Sequence, residues 1–113
     1  MTDPRQGDIF WVVLDPVLGS EQAGKRPVVV VSGNTLNDGM PIRIVCPLTG
    51  RVMGKSGRVS IPKTKANGLK KDSDVLVFQV RTLSPLRFRD KIGHITGAQM
   101  QSIVATLGEL LTY

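Results

Sequence analysis

Four valines in a row, Val28-Val29-Val30-Val31, stand directly behind Pro27 and ahead of Ser32-Gly33. Consecutive β-branched residues bounded by turn-formers leave no polar face to turn toward water. The stretch therefore reads as a strand covered on both sides. Pro27 lacks a backbone donor and suits the first position of such a strand, so a buried strand is predicted over 28–32 with Pro27 at its entrance. Upstream runs Gly19-Ser20-Glu21-Gln22-Ala23-Gly24-Lys25-Arg26, polar, glycine-bounded and charged. A polar loop bolted to a rigid strand is a common carrier of functional groups, here Glu21, Lys25 and Arg26.

The other periodicities are shorter. Aromatic and β-branched residues predict a strand over 8–14, ended by Asp15-Pro16. Asn34, Asn37-Asp38-Gly39 and Pro41 predict a turn-rich connection over 33–41. Strands are expected at 42–48, 58–61 and 75–80, with a short last one at 91–95 and a turn at Asn67-Gly68. The period then changes. Met100, Ile103, Val104, Leu107, Leu110 and Leu111 fall at helical spacing, and Thr96 with Gln99 forms a capping box, so a helix is predicted over 97–111 with its apolar face in the core. Short strands without βαβ alternation, followed by one helix, indicate an α+β protein with an antiparallel, barrel-like sheet.

A chain of 113 residues suggests one domain spanning 1–113. A single cysteine, Cys46, lies in an apolar run and reads as a buried thiol, which fits a reducing compartment. Neither an apolar leader nor a membrane-length apolar run is visible, so the expectation is a soluble cytoplasmic protein with no membrane partner. The charge is uneven. Fifteen Lys and Arg oppose nine Asp and Glu, and residues 39–71 hold no acid but eight bases: Arg43, Arg51, Lys55, Arg58, Lys63, Lys65, Lys70 and Lys71. Such a block is either a solubilising surface or the footprint of a polyanion, a nucleic acid or an acidic protein segment.

Metal-ligand spacing is missing, as are a phosphate-cradling glycine loop and a nucleophile elbow, so neither metal nor cofactor is expected. The lone His94 reads as structural. An enzyme with this inventory must work with Arg, Thr, Glu and backbone groups. RNA suits it, because the 2′-hydroxyl is a built-in nucleophile and the protein need only align it and stabilise charge.

Four stretches carry a resemblance: Gly7-Asp8-Ile9-Phe10-Trp11, the run from Gly19 to Ser32, Val45-Cys46-Pro47-Leu48-Thr49, and Gln79-Val80-Arg81-Thr82. Together, in this order, they resemble the MazF/PemK (Kid) toxins of bacterial toxin–antitoxin systems over nearly the whole chain. The resemblance implies an SH3-like antiparallel β-barrel (CcdB/PemK-like) with a C-terminal helix, acting as a homodimer. It implies a metal-independent endoribonuclease, an mRNA interferase, that cuts single-stranded RNA to 2′,3′-cyclic phosphate and 5′-hydroxyl ends. It also implies neutralisation by an acidic MazE-like antitoxin.

Carried over by motif, the catalytic pair is Arg26, on the scissile phosphate, and Thr49, orienting the 2′-hydroxyl or the phosphate. Glu21 is either the base or a loop-fixing acceptor. Ser20, Glu21, Gln22, Arg51, Lys55, Arg58, Gln79 and Arg81 are expected to meet RNA. Kid-like relatives place Arg and then Asp before this Gln, whereas this chain has Leu76 and Phe78, which shifts the chemistry onto Arg26 and Thr49. The competing readings are a CcdB-like gyrase poison and a plain RNA-binding barrel, which cleavage of RNA in EDTA separates from an enzyme.

Overall fold

The computed structural model describes residues 3–14 and 24–112. In order these form β1 (Asp8–Val13), β2 (Lys25–Val30), α1 (Asn34–Gly39), β3 (Arg43–Thr49), β4 (Arg58–Ile61), β5 (Ser73–Leu76), β6 (Arg81–Leu83), β7 (Phe88–His94) and α2 (Gly97–Leu110). The strands make one antiparallel sheet in the order β4-β5-β3-β2-β1-β7, with β6 also paired to β3. It is barrel-like but not closed, since β4 and β7 stand at its two ends.

Both faces of the sheet are covered, which is what the valine run demands. Val29 joins Ile9, Cys46, Leu48, Ile61, Val75 and Ile103 of α2 in one cluster. Val28 and Val30 join Phe10, Val12, Val45, Leu83 and Phe88 in a second. Burial pushes the Cys46 thiol up to about 12, so it stays protonated and inert at neutral pH.

Three expectations are corrected. The strand predicted over 75–80 is broken: β5 ends at Leu76, and Val77–Gln79 form a 3₁₀ turn before β6. That turn interrupts pairing along one edge of β3, the edge away from β2, where β5 meets Leu48 and Thr49 and β6 meets Arg43 to Val45. The turn-rich 33–41 stretch contains a short helix, α1, inside which buried Asn37 donates to the Ser32 carbonyl at 3.0 Å. Pro27 is the third residue of β2 rather than its entrance. Leu14 N donates to Gly24 O at 3.0 Å, which sets the β1–β2 alternation so that the Pro27 nitrogen faces away from β1.

The α2 capping box is present, with Thr96 Oγ1 accepting from Gln99 N at 3.1 Å and Gln99 Oε1 from Thr96 N at 2.9 Å. Its apolar face is only half used. Ile103 is buried and Met100 and Leu107 pack beside it, while Val104, Leu110 and Leu111 are exposed. No helix among the described residues is long and apolar enough to cross a membrane.

The 62–72 connection is pinned by Asn67. Its Oδ1 accepts from Thr64 N at 2.9 Å and Leu69 N at 3.0 Å, and its Nδ2 donates to Pro62 O at 2.9 Å. Gly68, at φ +66°, sits against the Ile92 carbonyl, and Gly93 sits against the backbone of Ala66 and Asn67. A side chain at either position would occupy the other segment's backbone.

Candidate functional site

Arg26 and Thr49 fall just beyond the paired part of the β2–β3 register. The β2–β3 pairs run Val30↔Val45, Val29↔Cys46 and Val28↔Pro47. Val31 N donates to Ile44 O at 2.8 Å, so odd-numbered β2 residues bond toward β3. Pro27 is the odd residue that cannot, and the ladder stops there. Continued on the same count, the next positions set Pro27 against Leu48 and Arg26 against Thr49. The last of these is a non-hydrogen-bonded position, where opposite Cα atoms approach to about 4.5 Å and side chains meet closest. Both residues are partly exposed and extend the face built by Phe10, Val12, Val28 and Val45 past its apolar end.

Thr49 is also opposite Asp74 of β5, and Asp74 is opposite Ser60 of β4. Asp74 is 0 % exposed and was not foreseen from the sequence. Its oxygens accept from Met53 N at 3.0 Å, Ser60 Oγ at 2.7 Å and Arg58 Nη1 at 3.4 Å. Burial pushes this carboxyl up, but the Met53 N–H, the Ser60 hydroxyl and the Arg58 guanidinium outweigh it and hold it below the usual carboxylate range. Asp74 therefore ties down the 50–57 loop that leaves Thr49. The only signal in the sequence is an acid set between Ser73 and Val75 in an apolar strand.

The remaining residues expected at an RNA surface divide. Arg51 is exposed, and its N–H donates to Thr49 Oγ1 at 3.2 Å, so its side chain leaves the loop beside the pair. Arg81 starts β6 opposite Val45, on the same face of β3 as Thr49. Gln79 is exposed at the end of the 3₁₀ turn just before it. Lys55 is exposed in the 50–57 loop. Arg58 is mostly buried, held by Asp74, by Arg51 O at 3.4 Å and over the Phe78 ring at 5.7 Å from its centroid. Ser20, Glu21 and Gln22 lie outside the described residues.

The acid-free block does not form a single surface. Arg43 is buried, donating through Nε to Pro4 O at 2.9 Å and through Nη1 to Ile42 O at 2.8 Å, with Asp3 as its ion-pair partner. It fastens the N-terminal segment instead. Lys63, Lys65, Lys70 and Lys71 remain exposed. Two clefts flank Gly50, the residue after Thr49: one of about 580 Å³ bordered by Val52, Pro62 and Lys63, the other of about 330 Å³ bordered by Trp11, Pro27, Leu69 and Ile92. Lys71 borders both, because its stem crosses Gly50 so closely that a Cβ there would meet Lys71 Cδ at 2.8 Å and Cε at 2.9 Å. On that continuation an arginine fork and a hydroxyl face each other, an arrangement that can grip a phosphodiester and hold a neighbouring hydroxyl in line.

Residues 5–111 fit the sequence pattern of the PemK-like, MazF-like toxins of type II toxin–antitoxin systems. A protein from Staphylococcus saprophyticus named Endoribonuclease MazF is 39% identical over 101 residues, 88% of this chain and 83% of that one. The fold is similar to the crystal structure of MazF (Form-I) from Deinococcus radiodurans, with a TM-score of 0.78, 27% identity and 98% of each chain covered. It is similar as well to the MazE-MazF (Form-II) crystal structure from the same organism, with a TM-score of 0.81, 26% identity and 98% and 97% coverage.

Proposed function

Because the chain belongs to the PemK-like, MazF-like toxin family, we propose that it is an endoribonuclease toxin cutting single-stranded RNA at a phosphate held by Arg26 and Thr49. The observation that carries the site assignment is the β2–β3 register, which on continuation sets these two side chains opposite each other on one face. The 2′-oxygen forms a bond to phosphorus, the bond from phosphorus to the 5′-oxygen breaks, and the proton of the 2′-hydroxyl ends on that 5′-oxygen. A 2′,3′-cyclic phosphate and a 5′-hydroxyl result. Arg26 forks onto the non-bridging oxygens and stabilises the charge that grows there. Thr49 fixes the 2′-hydroxyl or the phosphate by hydrogen bonding, and Glu21 serves as base or as loop acceptor. The reaction needs no group that the chain does not carry.

The whole chain acts as one domain, in the cytoplasm where its RNA is. An acidic MazE-like antitoxin competes for the basic face of Arg51, Lys70 and Lys71. Two copies pair through the apolar residues a single chain leaves exposed, Phe78 and Leu110, which converge on Gly57, and Leu111 beside them.

The test is cleavage of a long single-stranded RNA in EDTA by the unaltered chain and by Arg26→Ala, Arg26→Lys and Thr49→Ala. Cyclic-phosphate ends are expected, with each alanine variant slower by about 10²–10³. Arg26→Lys is expected to be poor as well, since an ammonium cannot make the fork. Undiminished cleavage by Arg26→Ala refutes the assignment. Binding without cleavage by the unaltered chain refutes the activity.

A further inference from the structure

A site for phosphate has little use for a carboxylate, yet Asp74 brings one to it. Asp74 of β5 is directly opposite Thr49 of β3, and Ser60 of β4 is directly opposite Asp74. Residues so paired point to one face of the sheet, with Cβ atoms about 4.5–5.5 Å apart. Left unpaired, a buried carboxylate there would repel the phosphate that Thr49 is to meet.

Arg58 answers that charge and holds the loop as well. Its Nη1 donates to Asp74 Oδ2 and to Arg51 O, both at 3.4 Å, and the guanidinium lies over the Phe78 ring. Asp74 Oδ2 accepts from Met53 N at 3.0 Å, and Oδ1 accepts from the Ser60 hydroxyl at 2.7 Å, which fixes the rotation of the carboxylate. The loop leaving Thr49 is therefore tied at two backbone points, the Arg51 carbonyl and the Met53 N–H. Between Thr49 and those ties, the Arg51 N–H donates to Thr49 Oγ1 at 3.2 Å. That bond occupies one lone pair of the hydroxyl and leaves its O–H free to donate.

We propose that Asp74 and Arg58 are positioning residues for the cleavage reaction: together they hold the turn that aims the Thr49 hydroxyl, and Arg58 neutralises the carboxylate beside it. The inference rests on the reading of Thr49 as part of an RNA-cutting site. It gives Arg58, a basic residue of the acid-free block, work inside the protein rather than on the RNA.

The experiment measures single-turnover cleavage of a short RNA over a range of protein concentrations, which separates the maximal rate from the half-saturating concentration. Affinity is read independently with a 2′-O-methyl oligonucleotide, which cannot be cut. The variants are Asp74→Asn, Arg58→Lys and Arg58→Ala, the pair Arg58→Ala with Asp74→Asn, and Asp74→Asn with Thr49→Ala, each checked by circular dichroism to be folded at the assay temperature. Asp74→Asn should slow the maximal rate about tenfold, because a reaction run by alignment suffers from small misplacements. It should bind the oligonucleotide at least as tightly, since a negative charge has gone. A merely structural loss would not move rate and affinity apart in this way. Arg58→Lys keeps a cation for Asp74 without the flat guanidinium, so it should keep affinity and lose rate. Arg58→Ala should lose both, and adding Asp74→Asn should restore affinity but not rate. Without the Thr49 hydroxyl there is nothing left to aim, so Asp74→Asn should change the rate of Thr49→Ala by less than about twofold. The proposal is overturned if Asp74→Asn and Arg58→Lys cut at the unaltered maximal rate, or if Asp74→Asn costs as much in Thr49→Ala as in the unaltered chain. A slow Thr49→Ala beside a fully active Asp74→Asn removes only the positioning role. Full-rate cleavage by Thr49→Ala removes the site assignment too.

Discussion

Replacing Asp74 by asparagine isolates the charge that holds the site loop. Oδ2 accepts from Met53 N and Arg58, and Oδ1 from the Ser60 hydroxyl. With the new amide nitrogen turned to Ser60, whose hydroxyl then accepts, the variant keeps every contact. What changes is that two short bonds lose charge assistance and Arg58 loses its counter-ion. Hydrogen bonds to a charged group are worth about 1.5–3 kcal/mol against about 0.5–1.5 for neutral ones, and cheaper burial of the neutral amide offsets part of the loss. The expected cost is about 1–2 kcal/mol at pH 7. Asp74→Ala, which also strands a mostly buried Arg58, should cost about 3–5 kcal/mol.

The assay is urea unfolding at one fixed protein concentration, from pH 7 downward. In the unaltered chain the Asp74 carboxyl titrates below its ordinary value of about 3.9. Its contribution is therefore complete above that value and is lost as pH falls through the lower, folded one. The gap between unaltered protein and Asp74→Asn should be constant near neutrality and close in acid. A gap that stays constant from pH 7 into acid, or an asparagine variant as stable as the parent at pH 7, refutes the account.

Gly68→Ala should destabilise the fold by roughly 3 kcal/mol or more, measured the same way, because the new methyl meets the Ile92 carbonyl at a positive φ. Gly50→Ala should cost less than about 1 kcal/mol, since only the flexible end of Lys71 must move, yet it should weaken RNA binding. Affinity for single-stranded RNA should fall with salt at about −0.7 log units per log unit for each phosphate contact, so about four contacts give a slope of about −3. A slope near zero would argue against a phosphate-tracking face.

Much of this was legible because it is local. The valine run announced a strand with two covered faces, and Thr96 with Gln99 announced the start of α2. The break at Val77–Gln79 was not legible, because Val75 to Val80 is apolar enough for one strand and only the geometry of β3 divides it. Pro27 misled for a related reason. Whether a proline fits inside a strand depends on which neighbour its nitrogen faces, and that is known only once both partners are placed. Arg26 and Thr49 are proposed from motifs, and whether they stand opposite each other depends on the β2–β3 register, which no motif states. Arg43 and Asp74 show the limit of charge counting. A basic residue in a basic block belongs to the surface only if no buried carbonyl or carboxylate claims it, and both claimants here lie far away in sequence.

The contact between Gly68 and Gly93 also sets a clock. During synthesis Arg26 and Thr49 emerge early, whereas the wall bearing Lys70 and Lys71 has nothing to lean on until β7 exists. Gly93 is added 44 residues after Thr49, which at about 5–20 residues per second is a delay of about 2–9 s. For those seconds the nascent chain carries Arg26 and Thr49 while the Lys70–Lys71 segment lacks the backbone it packs on.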